Sequence, residues 1–349
     1  MKTSIPLQSW SLALLAALAL ACSESTTPDG AGGSGPAGSG GSGGEVGTGG
    51  TGGDGGNEIV IPIDEIDTGW EPQVPDAIDE EIPADPRPES CDAEFDWIAK
   101  VRGWIVAPGG KPLPGAAAQA CIYAADGAYL CLAPSFADEE GVYTIEIPEN
   151  LRCIREVAMR VSHFPGHRAS SYCPLEGGDD PVVRIEMPAV LPFAMPTEDL
   201  PPLGDPDAAR TVSMHDGLEI EVTPSKILWG HFNYEILSGR RIPTDAVGLC
   251  GGAADFDGLY AFFPESPLEA PGFPFTIANA TGLPAGKKVT FYVLGGLECA
   301  LADGTAVPEG TWAPFGEGTI SEDGATISTD PGVGLPCLNW LGYQLMEEP

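Results

Sequence analysis

The chain has 349 residues, with 16 Lys and Arg against 51 Asp and Glu, which gives a formal net charge of −35. This charge argues against nucleic acid and anionic membrane surfaces as partners, because both select a basic patch. About 260 residues follow Ser90, which is enough for two domains of ~100–150 residues each.

Residues 1–21 predict a secretory signal peptide. Lys2 supplies the positive start, and residues 11–21 form an apolar run that is too short to span a bilayer core of ~20 apolar residues. Residues 22–57 predict a flexible linker, because 16 of the 29 residues from 29 to 57 are Gly. The protein is therefore expected to be exported.

The segment Leu18-Ala-Leu-Ala-Cys22 resembles the lipobox of bacterial lipoproteins, with Ala19 where that family prefers Leu. The resemblance implies that Cys22 is acylated and anchors the protein to a membrane. Ser23 after the cysteine implies sorting to the outer membrane, with a periplasmic or surface-exposed protein. The alternative is an ordinary cleavage site at Ala19-Leu-Ala21, which would release a free secreted protein.

Residues 58–90 predict an extended acidic spacer. This stretch holds eleven Asp or Glu, one Arg and six Pro, a composition that favours solvation over burial. Weak calcium binding is the alternative use of this acidity, and it would fit a calcium-dependent adhesin.

Nine cysteines are present. With Cys22 assigned to the lipid, the even number that remains predicts disulfides in an exported chain. Their connectivity stays mostly open, because eight cysteines allow many pairings. The candidates are Cys91, Cys121, Cys131, Cys153, Cys173, Cys250, Cys299 and Cys337.

One disulfide follows from a local pattern. Residues 121–131 predict a hairpin whose three-residue loop ends at Gly127 in the left-handed conformation, which places Cys121 opposite Cys131. Cys153 with Cys173 is the expected second pair. Five of the candidates lie in the first domain and three in the second, so either one disulfide joins the two domains, with Cys91 as its candidate, or two thiols remain free.

The expected fold class is all-β, with two β-sandwich domains after the tether. In residues 91–190, short runs rich in β-branched and aromatic residues alternate with turn residues at intervals of roughly ten residues. Tyr143, Ile145 and Ile147 are expected to share the inward face of one strand. This pattern predicts the first sandwich.

Three segments of the first domain resemble the carboxypeptidase regulatory-like domain: Val101-Arg-Gly-Trp-Ile-Val106, Gly110-Lys-Pro-Leu-Pro-Gly-Ala116 and Asp138-Glu-Glu-Gly-Val-Tyr-Thr-Ile-Glu-Ile-Pro148. The resemblance implies a transthyretin-like sandwich of seven strands and an accessory module without catalytic residues. Some relatives with this fold bind starch-like glycans through exposed aromatic side chains. Trp97, Trp104 and Tyr129 are the candidates for that role, with a core position favoured for Trp104.

Residues 191–209 predict a linker rich in Pro and Asp, and residues 210–349 predict a second all-β domain. Leu218, Ile220 and Val222 alternate with polar residues as in a half-buried strand, and residues 319–327 predict a hairpin about Asp323-Gly324. Val293-Leu-Gly-Gly-Leu-Glu-Cys299 and Gly334-Leu-Pro-Cys-Leu-Asn-Trp-Leu-Gly-Tyr343 are similar to segments of uncharacterised myxobacterial lipoproteins.

Two motifs have residue types that could bind a metal ion. His163-Phe-Pro-Gly-His167 lies between Cys153 and Cys173, but disulfides are favoured over zinc in an exported chain. Asp255-Phe-Asp-Gly258 lacks the Glu that ends an EF-hand loop, and a turn is favoured. No metal and no cofactor are therefore expected.

The sequence favours a non-catalytic, lipid-anchored envelope protein with a binding or structural role. Its partners would be the membrane, through the lipid, and a glycan or an envelope protein. One alternative is a carbohydrate-binding module in the first sandwich. Another is a hydrolase in the second domain, which would need a catalytic constellation around His215 or His231.

Overall fold

The computed structural model describes residues 71–127, 129–175, 177, 180–186, 188–190, 194–228, 230–244, 256–296 and 298–347. All of these residues belong to one compact unit. The predicted all-β class is confirmed, since the described chain contains many strands and a single α-helix of one turn, α1 (Asp76–Asp79).

Residues 71–95 pack against the first half of the molecule. Ile78 of α1 is fully buried with Trp104, Val106 and Val142, and the Trp97 indole N–H donates to the carbonyl of Asp85 at 3.0 Å. The described part of the predicted acidic spacer is therefore docked rather than extended into solvent, because it carries an apolar side chain among its charges.

The first half is a sandwich of two sheets. One sheet has the order β1-β7-β3-β4, with β5 beside β3 and β8 beside β7, and the other has the order β10-β2-β6, with β9 beside β2. The strands are β1 (Asp96–Trp97), β2 (Lys100–Val106), β3 (Ala117–Ala124), β4 (Tyr129–Cys131), β5 (Ser135–Phe136), β6 (Val142–Glu146), β7 (Cys153–His163), β8 (Arg168–Leu175), β9 (Val182–Arg184) and β10 (Ala189–Val190).

The core of the first half lies between these two sheets. As predicted, Tyr143, Ile145 and Ile147 are buried on one face. They meet Ile122 of β3 and Val157 of β7 across the interior. The alternation of apolar and polar residues in each strand directs one set of side chains inward, which is what places these residues together.

The second half is one nine-stranded antiparallel sheet with the order β11-β12-β15-β18-β17-β16-β19-β14-β13. The strands are β11 (Arg210–Ser213), β12 (Glu219–Val222), β13 (Ser238–Ile242), β14 (Gly258–Pro267), β15 (Phe275–Ala278), β16 (Lys288–Leu294), β17 (Trp312–Ile320), β18 (Thr326–Thr329) and β19 (Cys337–Leu345). The predicted hairpin about Asp323 is present, with Ile320 opposite Ile327.

The nine-stranded sheet curls into a half-barrel around its core. The backbone N–H of Arg241 in β13 donates to Asp216 Oδ2 at 3.0 Å, and Asp216 lies between β11 and β12 at the other end of the sheet. Leu218, Ile220 and Val222 are fully buried, as their alternation predicts. The core is therefore enclosed by one curved sheet rather than by two facing sheets.

A third buried cluster joins the two halves. Tyr172 of β8 is fully buried in it together with Trp340 of β19, and the Trp340 indole N–H donates to the carbonyl of Ser170 at 2.7 Å. Arg160 of β7 forms an ion pair with Glu265 of β14, and the Tyr172 hydroxyl donates to the same carboxylate at 2.5 Å.

The structure contains three disulfides between described cysteines: Cys91–Cys153, Cys121–Cys131 and Cys299–Cys337. The predicted bond between Cys121 and Cys131 is confirmed, and Gly127 has φ +87° in the loop between them. Disulfides persist in oxidising compartments, so these bonds indicate an extracytoplasmic protein.

Two cysteine predictions are wrong. Cys153 bonds to Cys91 and not to Cys173, and Cys91 therefore does not bridge the two halves. The segment before β1 brings Cys91 beside the start of β7, which the local sequence did not indicate. Cys173 is also disulfide-bonded, while Cys250 lies outside the described residues.

Candidate functional site

A cleft of about 360 Å³ lies where the sheet of the first half meets the loop before β17. Residues of β1, β3, β7 and β8 form one side, and residues 308–311 of the second half form the other. Clefts at such junctions are common places for small-molecule sites. The side chains that bear on its chemistry are Asp96, Tyr123, Arg155, Glu156 and Glu309.

Two tyrosine rings lie against each other in a tilted arrangement at this cleft. The ring centroids of Tyr123 and Tyr129 are 4.5 Å apart, with an interplanar angle of 33°, because the two residues face each other across β3 and β4. Tyr123 lines the cleft, and both rings are half-buried. The cleft therefore presents one aromatic side chain that a second ring holds in place.

Glu309 links the tyrosines to the second half. Its side chain is buried, with 8% of the residue exposed, and it accepts a hydrogen bond from the Tyr129 hydroxyl. Burial raises the pKa of Tyr129, and this hydrogen bond to a carboxylate raises that pKa further. The tyrosine thus stays a neutral donor over the physiological range.

Among the described residues that line the cleft, acidic side chains outnumber basic ones. Burial raises the pKa of Tyr123, and the charges of Glu309 and Glu156 add to that increase. Asp96 is a third carboxylate on the cleft wall and accepts a hydrogen bond from the backbone N–H of Gly177 at 3.2 Å. Arg155 is exposed and supplies one positive charge against these three.

The aromatic residues predicted to bind glycans separate into two groups. Trp97 and Trp104 are 7% and 4% exposed, and their indole N–H groups donate to the carbonyls of Asp85 and Glu186. Their burial removes them as binding residues and agrees with the core position favoured for Trp104. Tyr129 lies behind the cleft wall, as described above.

Tyr123 and Glu309 line the cleft but are not among the binding residues predicted from the sequence. Tyr123 lies two residues after Cys121 and so shares its face of β3, which is a local signal that was available. Glu309 is 180 residues from its partner Tyr129, and no local pattern reports a contact of that sequence separation.

The two histidines of the candidate zinc motif, His163 and His167, contact other groups. His167 stacks on Phe263 with centroids 5.3 Å apart, and burial together with the charge of Arg168 lowers the pKa of His163. Cys153 and Cys173 are disulfide-bonded and cannot act as thiolate ligands. Among the described residues, no group of three or more His, Cys, Asp or Glu could hold a metal ion.

His215 pairs with a carboxylate rather than with a nucleophile. Its Nδ1 lies 3.1 Å from Glu198 Oε2, and the Ser238 hydroxyl donates to Glu198 Oε1 at 3.4 Å. In a catalytic triad the nucleophilic hydroxyl bonds to the histidine, whereas here His215 and Ser238 both bond to Glu198. These contacts tie residues 194–209 to the half-barrel. The side chain of His231 lies outside the described residues.

Asp257 has a structural role in the described chain. Its carboxylate accepts a hydrogen bond from the backbone N–H of Leu345 at 2.6 Å, and its own N–H donates to the carbonyl of Tyr343 at 2.9 Å. These contacts fix the start of β14 beside β19. Asp255 of the same motif lies outside the described residues, as does Cys22.

The described residues contain no helix that is both long and apolar enough to cross a membrane. The sequence matches no protein-family profile and no curated protein. Among solved structures, the chain is similar to a DUF3823 family protein from Parabacteroides merdae. The two share 9% identity over 71% of this chain and 98% of that chain, with a TM-score of 0.18, which does not establish a common fold.

Proposed function

We propose that this protein is a non-catalytic, lipid-anchored envelope protein that binds carbohydrate in the cleft between its two halves. The observation that carries this proposal is the cleft itself, which combines an aromatic ring with several carboxylates in a volume of about 360 Å³. Sugars are held by stacking on aromatic faces and by polar groups that fix their orientation.

Rigidity of the cleft wall supports binding. Tyr123 is backed by Tyr129, which is in turn fixed by Glu309, and the disulfide Cys121–Cys131 joins the two strands beside them. A wall whose side chains are already ordered loses little conformational entropy when a ligand binds. This arrangement favours recognition over a structural role alone.

The binding proposal is tested with the purified full chain on an array of polysaccharides and peptidoglycan fragments. Saturable binding is expected, and Tyr123→Ala is expected to weaken it by tenfold or more because the stacking surface is lost. Phe136→Ala is the matched control, since Phe136 is 67% exposed and lies outside the cleft. Equal loss in both variants, or no binding of the wild type, would refute the proposal.

Lipid anchoring is tested separately through Cys22. In cells that express the full chain, Cys22→Ser is expected to move the protein from the membrane fraction to the soluble extracytoplasmic fraction, because acylation requires the thiol. An unchanged membrane fraction, or a wild-type protein that incorporates no labelled fatty acid, would contradict the anchor.

A further inference from the structure

The walls of the cleft carry more negative than positive charge. Asp96, Glu156 and Glu309 oppose Arg155 alone among the described charged residues that line it. The whole chain has a formal net charge of −35, so its long-range field also attracts cations. A neutral sugar would gain nothing from this field, and an acidic one would be repelled.

From these charges, and resting on the carbohydrate-binding role proposed above, we infer that the ligand is a saccharide with a protonated amino group. Tyr123 lines the cleft, and the face of an aromatic ring attracts a cation, an interaction that strengthens when water is excluded. The neighbouring carboxylates accept charge-assisted hydrogen bonds from an ammonium group, and such bonds are stronger than bonds between neutral groups.

The carboxylates differ in how they are held. Glu309 is buried against Tyr129 and has a fixed position, and Asp96 is restrained by the N–H of Gly177. A side chain at position 177 would collide with Asp96, so only glycine allows this contact. Glu156 is exposed on β7, where an incoming ammonium group can reach its carboxylate.

The test compares three probes by calorimetric titration of the full chain at about pH 6, where an amino group is protonated. The probes are a glucosamine oligosaccharide, its N-acetylated counterpart of equal length, and pentalysine. The glucosamine oligosaccharide is expected to bind about tenfold more tightly than the acetylated form, which keeps the sugar rings but lacks the charge.

Two variants test whether the preference for the amino sugar depends on Glu156. Glu156→Gln is expected to weaken glucosamine binding by roughly fivefold to tenfold, and to weaken binding of the acetylated form by clearly less. Glu139→Gln is the matched control, because Glu139 is an exposed acidic residue outside the cleft. Glu156 is exposed as well, so neither substitution disturbs the core.

The possible outcomes distinguish a failure of this inference from a failure of the proposed function. Equal binding of both oligosaccharides, lost in Tyr123→Ala, would overturn the charge preference and leave carbohydrate binding intact. Binding of neither oligosaccharide would overturn both. Binding of pentalysine as tightly as the glucosamine oligosaccharide would show that charge alone is recognised. That result would overturn the inference that the ligand is a saccharide.

Discussion

Tyr129 and Glu309 form the residue contact on which the shape of the cleft depends. The hydrogen bond between them joins the first sandwich to the loop before β17, and Glu309 is nearly inaccessible to water. A buried carboxylate that loses its donor is costly, because water cannot replace the bond. This one contact therefore matters for stability and for the ligand site.

Tyr129→Phe is expected to destabilise the protein by about 1–3 kcal/mol, since it leaves Glu309 buried without that donor. The measurement is equilibrium unfolding in urea at neutral pH. Tyr292→Phe serves as the control, because Tyr292 is also half-buried but lies outside the cleft. A Tyr129 variant as stable as the control would show that the contact contributes nothing.

At the residue scale, the sequence predicted buried positions better than contacts. Trp104 lies inside an apolar run, and this local fact was sufficient to favour the core. The pairing of Cys91 with Cys153 spans 62 residues and depends on how the chain folds back before β1. Periodicity reports which face a residue occupies and does not report which distant residue it meets.

At the scale of elements, α1 packs on side chains of β2 and β6 that are separate from the core between the two sheets. Ile78 is fully buried beside Trp104 and Val142, and the Arg152 guanidinium donates to the carboxylate of Asp85 at 2.6 Å. The acidic composition of this segment predicts a solvated chain. Burial of Ile78 nevertheless holds the segment against the first sandwich.

Ile78→Ala is expected to cost about 2–4 kcal/mol, because it leaves a cavity in a packed cluster. The midpoint of urea unfolding is the measurement. Val74→Ala is the control, since Val74 is 41% exposed in the same segment and is expected to change stability by less than ~0.5 kcal/mol. Equal effects of the two substitutions would mean that the segment does not dock.

The β17–β18 hairpin has a pH-sensitive contact at its base. The Lys288 ammonium donates to Asp330 and lowers the pKa of its carboxyl, and the Thr319 hydroxyl donates to the same carboxylate at 2.8 Å. Because the folded pKa is lower than the unfolded one, the contact stabilises above the usual Asp pKa and is lost as pH falls below it.

Asp330→Asn is therefore expected to lower the unfolding midpoint slightly at pH 7, by an amount that shrinks as the pH falls toward ~3. Thermal unfolding across that range is the measurement. Asp199→Asn is the control, because Asp199 is an exposed carboxylate outside this hairpin. A difference from wild type that grows on acidification would contradict this assignment.

At the scale of the whole molecule, the two halves are joined by a buried polar contact inside an apolar cluster. The Arg160–Glu265 pair is largely hidden, with side-chain exposures of 21% and 9%, and Tyr172 adds a hydrogen bond from within the same cluster. Removal of one partner of such a pair lowers the free energy of unfolding, because the remaining charge is left uncompensated.

Glu265→Ala is expected to destabilise the protein by about 3 kcal/mol, because the largely hidden Arg160 would lose its charged partner and keep the hydrogen bond to Gln119. Calorimetric unfolding is the measurement, and a split into two transitions would show that the halves have become uncoupled. Glu235→Ala is the control, since Glu235 is exposed. A variant with wild-type stability would contradict the importance of this junction.

The sequence predicted the all-β class and most strand faces because these depend on local alternation. It did not predict the half-barrel, since curling follows from how the edges of the nine-stranded sheet meet near Asp216. The cleft was missed for the same reason, because Tyr123 and Glu309 come from different halves of the chain.

The most direct test of the central claim is a map of NMR chemical-shift changes in the full chain on titration with a glucosamine oligosaccharide. The account predicts saturable changes centred on Tyr123, Glu156 and Glu309, which line the cleft. Saturable changes centred elsewhere, for example on the aromatic cluster of Phe256 and Trp312, would contradict the cleft as the binding site.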